Sequence, residues 1–188
     1  MDMMQRLGQE HRNFLHLLDI LERQLAVFER GERPDYDVVT AIADYFTGFP
    51  ERCHHPMEDL ILRRLRERYP AAADAVGDLD GEHESLGTLA LDFRQAVRNV
   101  LDEAEMRRET FRDALRHFID AQRAHMKMEQ ERFFPVVQEV LTPEDWAELE
   151  TAMTDEEDPV FGGLAAAEFE DLRHKILQWQ AEDDAAAR

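Results

Sequence analysis

The chain has 188 residues, long enough for one domain with a substantial buried core that needs no covalent staples. An apolar fraction of 44% with 34% charged residues is ordinary for a globular protein, and only 8 Gly and 7 Pro leave little material for the turns of an all-β fold, so helices are expected. The balance of 22 Lys plus Arg against 42 Asp plus Glu gives a net charge of −20, which repels phosphate backbones and anionic lipid and argues against nucleic acid or a membrane surface as partner.

The excess acid reads as a solvated, solubilising surface. Cys53 is the single cysteine and cannot form an internal disulfide. The opening "MDMMQRLGQEHRNF" lacks the apolar stretch of a signal peptide, and no run approaches membrane-spanning length. A cytoplasmic location is the expectation.

In chain order, the first helix is predicted from Met3 to Glu29, with Leu7, His11, Phe14, Leu18, Leu21, Leu25 and Phe28 at alternating steps of four and three. Gly31 and Pro34 end it, and Asp35 or Asp37 can cap the next. The second helical region runs to about Tyr69 on Ile42, Phe46, Phe49, Glu58, Ile61 or Leu62, and Leu65. Pro50 and Pro56 lie within it, so a kink or bulge is expected just before Glu58 and Asp59. After "YPAAADAVGDLDG" a third helix carries Leu79, His83, Leu86, Ala90, Phe93, Val97 and Val100. A fourth starts near Arg107 and carries Phe111, Leu115, Phe118, Gln122, His125, Glu129 and Val136.

Four long amphipathic helices with short connections imply an all-α, up-down-up-down four-helix bundle over residues 1–141. Residues 142–188 read as a C-terminal helical extension. Thr142, Pro143 and Asp145 supply a helix start, "DEEDPVFGG" a break, and a last amphipathic helix follows. Trp146 and Trp179, with Phe161 and Phe169, either dock this extension or form a homodimer contact.

Each bundle helix puts a histidine on or near its core seam: His11, His54 or His55, His83, and His125. Two are followed one turn later by glutamate, as His54-x-x-x-Glu58 and His125-x-x-x-Glu129. At about 100° per residue a four-residue step returns within about 40° of the same face, so each His and Glu converge inside the bundle. His55 with Glu58 or Asp59 also fits helical spacing. Buried carboxylates cost several kcal/mol unless paired or metal-bound, and a cation pair among four imidazoles resolves that cost. Such donors suit iron, manganese or zinc, and two carboxylates able to bridge favour two ions over one. The alternative is a metal-free bundle, with Glu129 turned outward to Arg132 and the histidines bonded to one another.

The segments "QEHRNFLHLLDILE", "CHHPMEDLIL", "GEHESL" and "AHMKMEQERFFP", in that order on four helices, resemble the hemerythrin-like, or HHE cation-binding, domain over roughly residues 3–141. The resemblance implies two non-haem Fe ions bridged by carboxylates and an oxygen atom. His11 and His54 would bind one, His83 and His125 the other, with Glu58 and Glu129 between them. It also places His54 ahead of His55 as the ligand.

Oxygen-carrying members have a further histidine one turn after the third-helix histidine, where this chain has Gly87, and an aspartate where Glu129 takes the role. The remaining four His and two Glu are similar to the set in the di-iron proteins called repair of iron centres. Each iron would then be about five-coordinate, with an exchangeable position on both. The resemblance implies binding of O2, NO or peroxide, as carrier, sensor or stress-response protein. The alternatives are an oxidase or peroxidase, or storage and delivery of iron.

His16 and His117 lie off the seam, and His174 falls outside the matched region, so all three are expected on the surface or flanks. Cys53 reads as a small buried thiol, and Met57, Met126 and Met128 as core fillers.

Overall fold

The computed structural model describes residues 2–102, 108–152 and 156–186. Among them every regular element is helical and no strand occurs. Helix α1 spans Met3–Glu29, as the seam predicts; Asp2 caps it by accepting from Gln5 N–H at 2.7 Å. Its end is made by Gly31, whose φ of 83° is a conformation open to glycine.

Helix α2 (Tyr36–Phe46) is capped by Asp35, which accepts from Val38 N–H at 3.2 Å. After a short turn the backbone widens into a π-helical segment at Pro50–His54, then resumes as α3 (His55–Arg68). This is the bulge expected ahead of Glu58. Pro56 has no N–H and its ring would strike the carbonyl four residues back, and the widened turn immediately before it relieves that conflict.

The connection after Tyr69 contains a short helix, α4 (Pro70–Val76), within the stretch that precedes the third predicted helix. Helix α5 is Leu79–Leu101 and α6 is Arg108–Met128; the expected start near Arg107 lies outside the described residues. A second π-helical segment, Glu129–Phe133, leads into α7 (Phe134–Val140) ahead of Pro135. The extra residue shifts the helical phase, so Val137 is buried in place of the expected Val136, which is only partly covered.

The helices α1, α2, α5 and α6 pack in a ring, α1 against α2 and α6, and α5 against α2 and α6. The interior holds two separate apolar clusters. One is built on Phe14, Tyr45, Phe46, Phe93 and Phe118, and the other on Leu7, Ile61, Leu65, Phe133 and Val137. The buried polar residues fall between them in sequence: His11 between Leu7 and Phe14, His54 between Phe49 and Met57, and Glu129 between Met126 and Phe133. A polar layer therefore crosses the bundle interior.

The C-terminal segment packs on the bundle. Helix α8 (Pro143–Ala152) carries the expected Thr142–Asp145 cap, and α9 (Glu170–Ala186) contributes Leu172 and Ile176 to the first cluster. Phe169 is buried in that cluster with Phe161 and Trp179 against it, while Trp146 lies on the second. Asp158 ties the preceding loop down, accepting from Tyr45 O–H at 2.9 Å and Asn13 at 3.1 Å.

Candidate metal centre

The polar layer holds His11 from α1, His54 from the first π segment, Glu58 from α3, His83 from α5, His125 from α6 and Glu129 from the second π segment. All six residues expected at the site are brought together. Glu58 and Glu129 are both 0% exposed, a placement that an unpaired carboxylate would not tolerate.

The two carboxylates divide their oxygens. Oε1 of Glu58 lies 3.4 Å from His54 Nε2 and 3.7 Å from His11 Nε2, while its Oε2 lies 3.4 Å from His83 Nε2. Oε2 of Glu129 lies 3.2 Å from His11 Nε2, and its Oε1 lies 3.0 Å from His125 Nε2 and 3.5 Å from His83 Nε2. The result is two adjacent pockets. His11 and His54 line the first, His83 and His125 the second, and each glutamate faces both. In each group the donor atoms lie within 4.8 Å of one another.

The outward-facing histidine nitrogens are also engaged. Nδ1 of His54 donates to Glu10 Oε2 at 2.7 Å, Nδ1 of His83 to Asp59 Oδ1 at 2.8 Å, and Nδ1 of His125 to Glu82 Oε2 at 3.0 Å. The side-chain amide of Gln130 lies 3.4 Å from Nδ1 of His11. Because a carboxylate accepts only, its bonds to His54, His83 and His125 place the proton of each neutral ring on Nδ1 and turn the Nε2 lone pair inward, as a metal ligand requires. Glu10 is itself buried and held by Arg6 at 2.9 Å. Phe134 stacks on the His11 ring at 5.0 Å, and Phe14 meets His54 edge-on at 4.7 Å.

The inward atoms are what a cation would satisfy. Both oxygens of Glu58, both of Glu129, and Nε2 of His83 and His125 are buried without a hydrogen bond, because the nearby groups are close but out of line. The residues present fit a bound metal on this ground. The field points the same way. Burial disfavours charge on His11 and His83, yet Glu129 and Glu58 hold His11 up to about 9, and Asp59 with the two glutamates holds His83 up to about 11. Burial also opposes charge on Glu129, but His11, His125 and His83 pull its carboxyl well below the usual range. His54 goes the other way, pushed down to about 3 by burial, and stays neutral as the acceptor of His11 Nε2–H at 3.1 Å.

Sequence reasoning missed Glu10 and Glu82. Each stands immediately before a pocket histidine, as Glu10-His11 and Glu82-His83, but reaches across to the histidine of a neighbouring helix. The repeated Glu-His pair was the legible signal. His55, weighed as an alternative to His54, is buried as well, with its ring against His83. His117 and His174 are exposed and His16 is partly covered beside Phe161, as expected of flanking residues. Cys53 is buried; burial and the nearby Glu156 carboxylate push its thiol up to about 11. Met57 and Met126 are core residues. Among the described residues, no helix is long and apolar enough to cross a membrane.

The sequence matches the family description "Hemerythrin HHE cation binding domain" over residues 2–137. No curated protein and no solved structure gives a significant match.

Proposed function

Since the chain belongs to the hemerythrin HHE cation-binding domain family, we propose that it is a non-haem di-iron protein that binds a small molecule such as O2, NO or peroxide, as a carrier, sensor or stress-response protein. His11 and His54 hold one ion, His83 and His125 the other, and Glu58 and Glu129 bridge them. The observation that carries this reading is the division of each buried glutamate between the two pockets. A single ion could chelate both oxygens of a carboxylate, but here the two oxygens of each face different histidines, which favours two ions.

Two iron ions there would supply exchangeable coordination positions and reversible redox chemistry to the bound molecule. The chain's own residues enclose the site. A surface groove of about 570 Å³ between α5 and α6, lined by Glu82, Leu86, His125 and Met128, lies against the outer side of His125. The first pocket is walled by Phe14 and Phe134.

The test is the iron content of the purified chain beside its His125→Ala and Glu129→Ala variants. Each variant should retain well below the parent level, and full retention in both would refute the assignment. With the parent loaded and reduced, a visible band that appears with O2 and vanishes on its removal supports carriage or sensing. An irreversible shift to a ferric spectrum would instead favour an oxidase.

A further inference from the structure

Adjacent residues on an α-helix point about 100° apart, so His54 and His55, at the junction of the π-helical segment Pro50–His54 with α3, turn their rings in different directions. His54 is 1% exposed and His55 5%, and the two rings turn to different pockets. The ring of His54 meets His11, with centroids 5.0 Å apart. The ring of His55 lies flat against His83, with centroids 4.3 Å apart, and edge-on to His125 at 5.9 Å.

One ring nitrogen of His55 lies within 4.8 Å of ring nitrogens of both His83 and His125. Its Nδ1 is buried without a hydrogen bond, although Glu51 Oε1 approaches to 3.2 Å. A carboxylate thus stands beside the same ring atom that Glu10, Asp59 and Glu82 hold on His54, His83 and His125. Room for this carboxylate comes from Gly87 on α5, where a Cβ would fall 2.9 Å from Glu51 Oε2. His55 shares the burial of the four pocket histidines and has an outer carboxylate as His54, His83 and His125 do, and its ring nitrogen converges with those of the second pocket.

We infer that His55 is a fifth histidine ligand, so that the second pocket presents three imidazoles and the first pocket two. The inference rests on the two-ion reading above and makes the centre unequal. The second ion is more fully coordinated, and the first keeps the open position.

The test loads the intact chain with Co2+ and counts the exchangeable imidazole N–H resonances shifted by the paramagnetic metal, since each ligating ring keeps one such proton. Two equivalents of Co2+ with five shifted signals are expected. Two equivalents with four signals would overturn the role of His55 and leave the two-ion reading standing; uptake of fewer than two equivalents would overturn both.

In a His55→Asn variant whose circular dichroism matches the parent, one of the two Co2+ affinities should fall at least about tenfold and one shifted signal should disappear. Parent-like affinity for both ions in that variant would refute the inference whatever the signal count.

Discussion

The outer carboxylates of the centre differ in burial, and that difference predicts a ranking. Glu10 holds His54 Nδ1 at 2.7 Å with its side chain 5% exposed, whereas Asp59 and Glu82 hold His83 and His125 at 2.8 and 3.0 Å with side chains 39% and 45% exposed. A charge-assisted bond out of water contributes about 1.5–3 kcal/mol, and a partner to a ligating imidazole changes metal affinity by about 10- to 100-fold. Where solvent reaches the pair, water replaces the lost carboxylate and most of that effect is screened. Glu10→Ala should therefore weaken metal retention by about 10- to 100-fold, and Asp59→Ala or Glu82→Ala by less than about fivefold. Burial pushes the Glu10 carboxyl up, and Arg6 opposes this, so Arg6→Ala should reproduce part of the Glu10 loss. Chelator competition on the loaded proteins, with circular dichroism as a check of the fold, measures each value. Equal losses in all three carboxylate variants, or a Glu10→Ala protein within about twofold of the parent, would refute the argument from burial.

Metal loading should raise the melting temperature by about 5–11 °C at an ion concentration of about 100 times Kd, from roughly 2.7 kcal/mol of linkage. The gap between loaded and metal-free protein should also widen with pH. His11 and His83 are held above their ordinary 6.5, so their protonated forms contribute to metal-free stability fully below that value, and the contribution is lost as pH rises through about 9 and then about 11. Calorimetry of both forms from neutral to alkaline pH checks this, and a constant or narrowing gap would contradict it. At the other end of the molecule, Asp145 is 0% exposed and accepts from Arg68 at 2.6 Å, Thr142 N–H at 3.0 Å and Tyr69 O–H at 3.2 Å. Asp145→Ala should cost about 2–3 kcal/mol, lowering the melting temperature by about 4–12 °C. Burial opposes its ionisation, but Thr142, Tyr69 and Arg68 hold its pKa below 3.8. The contribution is therefore present above that value and is lost as pH falls through the folded pKa, and the difference between parent and Asp145→Asn should shrink there.

The helices were legible because their seams repeat at helical spacing. Met3–Glu29 and the start of α5 at Leu79 follow directly from where leucine and phenylalanine recur. The six inward residues were legible for the same reason, since histidine and glutamate occupy seam positions that apolar side chains would otherwise take. What periodicity cannot carry is a change of period. Pro56 marked the first π segment, but the second went unread although Pro135 stands in the same relation to it, and Val136 was placed one residue out of phase as a result. The outer carboxylates were hidden because they act between helices, from positions that look like ordinary surface acid on their own helix.

The two π segments also explain why the centre is built where proline interrupts the helix. Each segment closes with an N–H bonded five residues back, His55 to Pro50 and Phe134 to Glu129, and each is followed at once by a proline-containing helix. A π insertion costs helical regularity and persists where the surroundings hold it. Here the first insertion ends at His54, with His55 next to it, and the second begins at Glu129 itself. The proline disfavours return to a regular helix, because the regular turn would drive its ring into the preceding carbonyl. The sequence thus maintains, through Pro56 and Pro135, the backbone irregularity beside which two histidines and Glu129 enter one buried layer.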